Sequence, residues 1–439
     1  MTLKTRRLLF YSSLFLFIVA ALLVIFYSMG FRVDFANKLI TETGGIYVKS
    51  DPVDASIALD GDPVKNESGI LNTGTLIDNL EPKSYNIVLN ADGYSGWEKN
   101  ADVTPGGVAI FDSIILVSDL REKIYDAVNE FRLSNELLVT QKDDVIEFDG
   151  KTLTGNELLY FTRNGGVVTR RTTTGDYYLS NVFDLTEPLN LSATFNNLKE
   201  TELNLPGNVR IVEIEPYPFD DTRFVIMTGR AIYTLDTDSL ELDIIASSTK
   251  DFVISGNDLF WLNEDGISNY DLLLEEEEQV YAVPAETVMQ WSAHSSAEKI
   301  IILSDSKDLI SFDVETATTT TISLNASYFS LSPDGGLITF VDQDGVINVY
   351  DFEWEDGRRR EQLFKLKALH DSIDRLTWYG GNTHLIIKTK AGDLRFIEID
   401  DFAPINEVLI SANVLSFVYD EENEFLYYSN DLGTWRLKI

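Results

Sequence analysis

Carboxylates are the only chemically versatile side chains that this sequence holds in quantity. There are 71 Asp and Glu, against three histidines at 294, 370 and 384 and no cysteine. Without cysteine there are no disulfides, thiolate zinc sites, iron–sulfur ligands or thiol nucleophiles. The three histidines lack the close spacing of metal ligands and read as isolated structural residues. Asp342-Gln343-Asp344-Gly345 and Asn263-Glu264-Asp265-Gly266 have the oxygen-rich look of calcium loops. Neither runs on into the full ligand series that ends in Glu, so both are expected to be tight turns between paired strands. Ser247-Ser248-Thr249-Lys250 and Ser304-Asp305-Ser306-Lys307 match Ser-x-x-Lys but lack the companion motifs of that nucleophile. Two carboxylates suffice for glycoside hydrolysis, yet among so many acids no pair is singled out. Glu275 to Glu278 reads as a solvated loop between repeats, and Arg358-Arg359-Arg360 as a loop of opposite sign. No residue is assigned a catalytic, cofactor-binding or metal-binding role, no cofactor is expected, and the chain is expected not to be an enzyme.

The charge balance points the same way. With 35 Lys and Arg the net charge is -36, which repels a phosphate backbone over most of the surface and excludes nucleic acid as a partner. A hydrophobic fraction of 44% with 25 Phe, 19 Tyr and 6 Trp excludes wholesale disorder. A chain of 439 residues accommodates roughly two to four domains.

Leu8 to Met29 is uncharged and apolar, long enough as a helix to span roughly 30 Å, the thickness of a bilayer's hydrocarbon core. Tyr11 and Tyr27 lie near its ends, and Lys4, Arg6 and Arg7 precede it. That arrangement favours a cytoplasmic tail at 1–7, a transmembrane helix at 8–29, a linker at 30–43 and everything beyond outside the cytoplasm. The run is too long for the apolar core of a cleaved signal peptide.

Residues 44–118 read as short strands with turn chemistry between them. Ala55 to Leu59 alternates into Asp60-Gly61, a hairpin signal because both residues tolerate positive φ. Ser84 to Asn90 places Tyr85, Ile87 and Leu89 on one face. The pattern is that of a small antiparallel sandwich. Pro52, Ala55, Ile57, Leu59, Asp60 and Gly61 are followed by Leu80-Glu81-Pro82-Lys83-Ser84-Tyr85, Ala91-Asp92-Gly93-Tyr94 and Trp97. In order and spacing this resembles the PEGA domain. It departs at Lys83, where that family usually has Gly, and at Val53-Asp54 in place of Glu-Gly; Lys83 implies a turn without a left-handed residue there. The resemblance implies an exposed, non-catalytic β module of cell-envelope proteins. Tyr94 and Trp97 read as packing aromatics rather than a binding face.

From Asp119 to Leu133 the apolar residues Leu120, Ile124, Val128 and Phe131 recur at helical spacing behind Ser118, so a helical linker is expected over 119–135. The remainder, 136–439, repeats. Ile214, Ile254, Trp291, Leu331, Trp378 and Phe417 occupy equivalent positions at intervals of 40, 37, 40, 47 and 39 residues. A period near 40 with several short strands per unit predicts a β-propeller, of about seven blades with eight possible. Ser332-Pro333-Asp334-Gly335 resembles a recurrent turn of TolB-like and WD-type propellers, a likeness that implies architecture and no substrate. The expected fold is therefore mainly all-β: one transmembrane helix, a PEGA-like sandwich and a propeller. The expected function is a membrane-anchored, extracytoplasmic binding or scaffold protein of the cell envelope, with a protein or glycan partner. The alternative is a hydrolase or lyase that acts on envelope polysaccharide through carboxylates of the propeller channel.

Overall fold

A computed structural model describes residues 3–28, 31–34, 39–69, 72–135, 137–274, 276–282, 287–294, 296, 298–353, 362–368 and 372–439. Residues 1–120 with 402–408 and 439 form one compact unit, and 121–401 with 409–438 a second.

The first unit opens with helix α1, Leu3–Ser28. Its apolar residues Phe10, Phe15, Leu16 and Phe17 are more than half exposed, as expected of a helix with no core around it. Among the described residues no helix is long and apolar enough to cross a membrane; the side chains of α1 are described without a break only over 9–22. The expected linker at 30–43 holds a hairpin instead, Phe31–Asp34 against Leu39–Glu42.

Beyond it, two sheets face each other. One is Thr75–Leu80, Gly44–Asp51 and Val108–Ile115; the other is Asp62–Val64, Ser56–Leu59, Ser84–Asn90 and Trp97–Asp102. Alternation explains the packing: Ile57, Leu59, Ile87 and Leu89 turn inward onto Ile46, Val48 and Phe111. Trp97 is 2% exposed and stands edge-on to Phe111, so it is a core residue, whereas Tyr94 is 38% exposed. The sandwich is not wholly antiparallel, because Gly44–Asp51 and Val108–Ile115 run parallel. Asp60 and Gly61 adopt φ of 50° and 85°, as the hairpin signal requires. Lys83 is not among the positive-φ residues; it pairs with Asp60 at 3.0 Å and lies 4.4 Å from the Tyr85 ring centre. Lys99, fully buried, donates to Phe402 O at 2.7 Å and holds the distant segment 402–408 to this unit.

The described residues of the second unit form eight four-stranded antiparallel sheets. Their first strands are Glu130–Ser134, Glu157–Phe161, Ile211–Tyr217, Asp251–Ser255, Val288–His294, Ala326–Leu331, Ile373–Tyr379 and Val414–Asp420. Seven sheets are consecutive meanders. The eighth takes its outer strand, Glu122–Tyr125, from the start of the unit and pairs it with Gly433–Lys438. That exchange closes a ring, and first strands meet at the junctions of blades 8 and 1, 1 and 2, and 4 and 5, so the first strands form its inner wall. This is the order of an eight-bladed β-propeller, the alternative to the seven expected. The six periodic residues from Ile214 to Phe417 all fall on first strands, of blades 3 to 8.

The expected helix at 119–135 is absent: Glu122–Tyr125 and Glu130–Ser134 are strands of blades 8 and 1. The helical spacing there is overridden by pairing with Gly433–Lys438 and by burial of Val128 and Phe131 against Tyr427. Blurred periodicity before Ile214 has a cause in the insertion 191–210. It holds helix α2, Leu191–Thr201, capped by Asn190, whose side chain accepts from Ala193 N, and its Phe195 is buried against Tyr233.

Side-chain hydrogen bonds stitch every blade junction. Ser416 donates to Glu130 at 2.5 Å, Arg132 to Leu159 O at 2.9 Å, Tyr177 to Val212 O at 3.1 Å and Tyr217 to Leu272 O at 2.6 Å. Trp291 donates to Asp251 at 2.7 Å, Gln290 to Phe329 O at 3.3 Å, Trp378 to Ser330 at 3.0 Å and Arg375 to Phe417 O at 3.2 Å. Packing between blades thus gains a directional component that fixes their register around the ring.

Candidate functional site

The residues flagged in the sequence separate clearly. Asn263 Oδ1 accepts from Asp265 N and Gly266 N, and Asp342 Oδ1 from Asp344 N and Val346 N, so both acidic tetrapeptides are self-satisfied turns. Among the described residues no group of three His, Cys, Asp or Glu is placed to hold a metal. Glu276–Tyr281 is the outer strand of blade 4 rather than a loop, while Glu275 lies outside the described residues. Arg358 to Arg360 and His370 also lie outside them. Ser304 and Lys307 close a turn through Lys307 N to Ser304 O.

Two clusters emerge whose members the sequence did not bring together. The first is on the inner wall. Glu213 and Glu215 lie two apart on the first strand of blade 3, hence on one face, within electrostatic reach of Asp251 on blade 4 and Tyr160 on blade 2. Burial, then the charges of Glu213 and Asp251, push the Glu215 carboxyl up to about 7. Burial and Asp251 also raise Glu213. Tyr160 is raised by burial and by the two glutamates. The arginines of the inner wall lie on blades 1 and 7: Arg132 pairs with Glu130 at 2.5 Å and its charge works to lower Tyr160, and Arg375 lies over Phe417.

The second cluster is a cleft of about 230 Å³ formed where the turns between first and second strands of blades 6, 7 and 8 converge. Blade 6 contributes Asp334. Its Oδ1 accepts from Ser332 Oγ at 2.7 Å and Gly336 N at 2.8 Å, locking the Ser-Pro-Asp-Gly turn. Burial works to raise this carboxyl and is outweighed by those bonds and one from Asn382, which hold it below the usual range. His294 Nε2 lies 2.6 Å from Pro333 O and braces the same turn.

Blade 7 contributes Trp378 and Tyr379, both under a tenth exposed, then Gly380, Gly381 and Asn382 with φ of 26°, 60° and 64°. Three left-handed residues in succession demand Gly or Asn, and they turn the chain sharply back over the aromatics. His384 stacks on Phe396 at 4.6 Å and stands edge-on to Tyr379, so it supports the wall from behind. Blade 8 contributes Glu421. Tyr419, 5.0 Å from Tyr379, is pushed up to about 12 by burial and then by Glu421, Glu424 and Asp420, an index of negative potential beside the cleft. Two of the three histidines are thus structural residues of this site. Two local signals mark it, the Ser332-Pro333-Asp334-Gly335 turn and the Gly380-Gly381-Asn382 run.

Residues 43–112 match the PEGA domain. The PEGA match covers the sandwich, including Pro52, Asp60-Gly61 and Trp97 at the positions where the sequence resembles that family. No curated protein matches the chain. Among solved structures the chain is similar to BamB from Moraxella catarrhalis, at 10% identity over 73% of this chain and 98% of that one, TM-score 0.46. It is similar also to the computationally designed Ika8 protein, at 13% identity over 72% and 98%, TM-score 0.48. A third likeness is the Cps50 (Swd1) β-propeller domain of Myceliophteria thermophila, at 10% identity over 72% and 99%, TM-score 0.40.

Proposed function

We propose that the chain is a binding or scaffold protein of the cell envelope. Its 8–29 run tethers it to the membrane with the N-terminus inside, the PEGA domain is a non-catalytic module, and the propeller presents the binding surface to a protein partner. The observation that carries this reading is the cleft of blades 6 to 8. Its aromatic wall stands on the first strand of blade 7 and Asp334 is held by its own preformed turn, as a recognition surface requires and a flexible loop does not provide. The apolar run and the exposed apolar side chains of α1 support the tether. Cell fractionation tests the topology. The full chain should stay in the membrane pellet after alkaline carbonate washing, a variant lacking residues 1–30 should be released, and protease added outside should digest the propeller. A full chain released by carbonate, or a propeller protected from external protease, contradicts this proposal.

The inner-wall carboxylates favour a second reading, an envelope polysaccharide hydrolase or lyase. Glu215, raised towards neutrality beside Glu213 and Asp251, has the protonation behaviour of a general acid. Loss of polysaccharide turnover in Glu215→Gln with retained folding would support it; absence of turnover by the wild-type chain on a panel of acidic and neutral polysaccharides would remove it.

A further inference from the structure

The cleft of blades 6 to 8 has a chemistry that selects among ligands, and the ligand assigned to it rests on reading the chain as a binding protein. Trp378 and Tyr379 form its wall, both charged groups at its rim, Asp334 and Glu421, are carboxylates, and among the described residues no lysine or arginine lines it. Asp334 is oriented by its own turn, with Oδ1 taking two hydrogen bonds. Glu421 is exposed and has no hydrogen-bond partner among the described residues, so its carboxylate is available to a ligand. A phosphate or carboxylate ligand would meet two like charges. A neutral sugar could donate hydroxyl hydrogen bonds to both carboxylates but would leave their negative charge unpaired. A guanidinium satisfies every feature at once: it is planar, weakly hydrated, stacks on aromatic rings and pairs with carboxylates in a fixed geometry.

We infer that this cleft receives an arginine side chain of a partner protein. The chain's net charge of -36 draws a basic segment towards the propeller, and the cleft then reads one residue of it. Arginine is preferred to lysine, whose compact, strongly hydrated ammonium gains less from the aromatic wall.

The test uses the full chain in mild detergent, labelled with 5-fluorotryptophan. The six tryptophans should give separate fluorine resonances, and Trp378 is assigned by Trp378→Phe. The probes are acetyl-Gly-Arg-Gly-amide and its citrulline counterpart, of the same shape without the charge. The Trp378 line should shift saturably with the arginine peptide, with a Kd of about 1 mM as befits one side chain. The citrulline peptide should bind at least about tenfold more weakly, and Glu421→Gln should weaken the arginine peptide about fivefold. Because Glu421 is exposed, its variant should keep the wild-type spectrum before peptide is added. Asp334→Asn provides a second variant, scored only if its spectrum remains folded. An equal response to citrulline, an arginine titration that leaves the Trp378 line in place, or a folded Glu421→Gln that binds as wild type overturns the inference. None of these outcomes touches the wider binding reading, which site-resolved cross-linking in cells tests without reference to the cleft's chemistry.

Discussion

Glu215→Gln should stabilise the propeller, and the gain should grow with pH. The folded Glu215 carboxyl titrates at about 7 against an ordinary glutamate value of 4.5. The folded protein therefore holds this proton more tightly than the unfolded chain. Stability linked to such a group is greatest below the unfolded value, declines as pH rises through the interval, and reaches its minimum above the folded value. The interval corresponds to about 3 kcal/mol. Glu215 is partly solvated, which reduces the expected gain of the glutamine variant to about 2 kcal/mol at pH 8. For a unit of roughly 300 residues that is a rise in Tm of about 3 °C. Melting curves of wild type and variant, followed by near-UV circular dichroism at pH 5, 6, 7 and 8, supply the assay. The gap should be small at pH 5 and fully open by pH 8, as the wild-type carboxylate ionises beside Glu213 and Asp251. A gap independent of pH, or a variant less stable than wild type at pH 8, would refute the assignment of a buried, mutually repelling carboxylate group.

Packing and pairing set three further outcomes. Trp97→Ala removes the largest ring from the sandwich core and should destabilise the PEGA domain by about 3–5 kcal/mol, read by loss of protection in amide exchange across 44–115. Glu130→Gln leaves Arg132 and the Ser416 hydroxyl without their carboxylate and should cost about 1–2 kcal/mol, measured by urea unfolding, where an unchanged midpoint counts against the stitched ring. Lys99→Met keeps the aliphatic volume but deletes the donor to Phe402 O. Amide exchange over 402–408 should accelerate about tenfold with Trp97–Asp102 still protected, and equal rates would show that the lysine does not hold that segment.

Much of the architecture is legible in the sequence because it is local. Asp60-Gly61 must turn, Ile57 and Leu59 must alternate, and each blade repeats the apolar residue on its first strand, so Ile214 to Phe417 mark six blades directly. What stayed hidden is non-local. Leu120, Ile124, Val128 and Phe131 have helical spacing, and only the Gly433–Lys438 strand, some 300 residues away, makes Glu122–Tyr125 the strand that closes the ring. Blades 1 and 2 break the period because blade 1 is short, its last strand only Lys151–Thr152, and because the helical insertion after Asn190 lengthens the step from blade 2 to blade 3. The site was hidden for the same reason. Asp334, Gly380 and Glu421 sit in three turns more than forty residues apart, and each turn taken alone is ordinary loop chemistry. Convergence of equivalent turns on one edge of adjacent blades makes them a cleft. Conversely, the acidic tetrapeptides that looked most like ligand loops spend their oxygens on their own backbone.

The most direct test of the central claim is site-resolved photocross-linking in intact cells. A photoreactive residue placed at Asn423, in the turn that carries Glu421, is compared with one at Leu432, in the turn at the opposite edge of the same blade. The binding reading predicts a discrete covalent adduct to a partner protein from position 423 and none from 432. Equal labelling at both positions, or no adduct from 423 in a folded protein expressed at normal level, contradicts it.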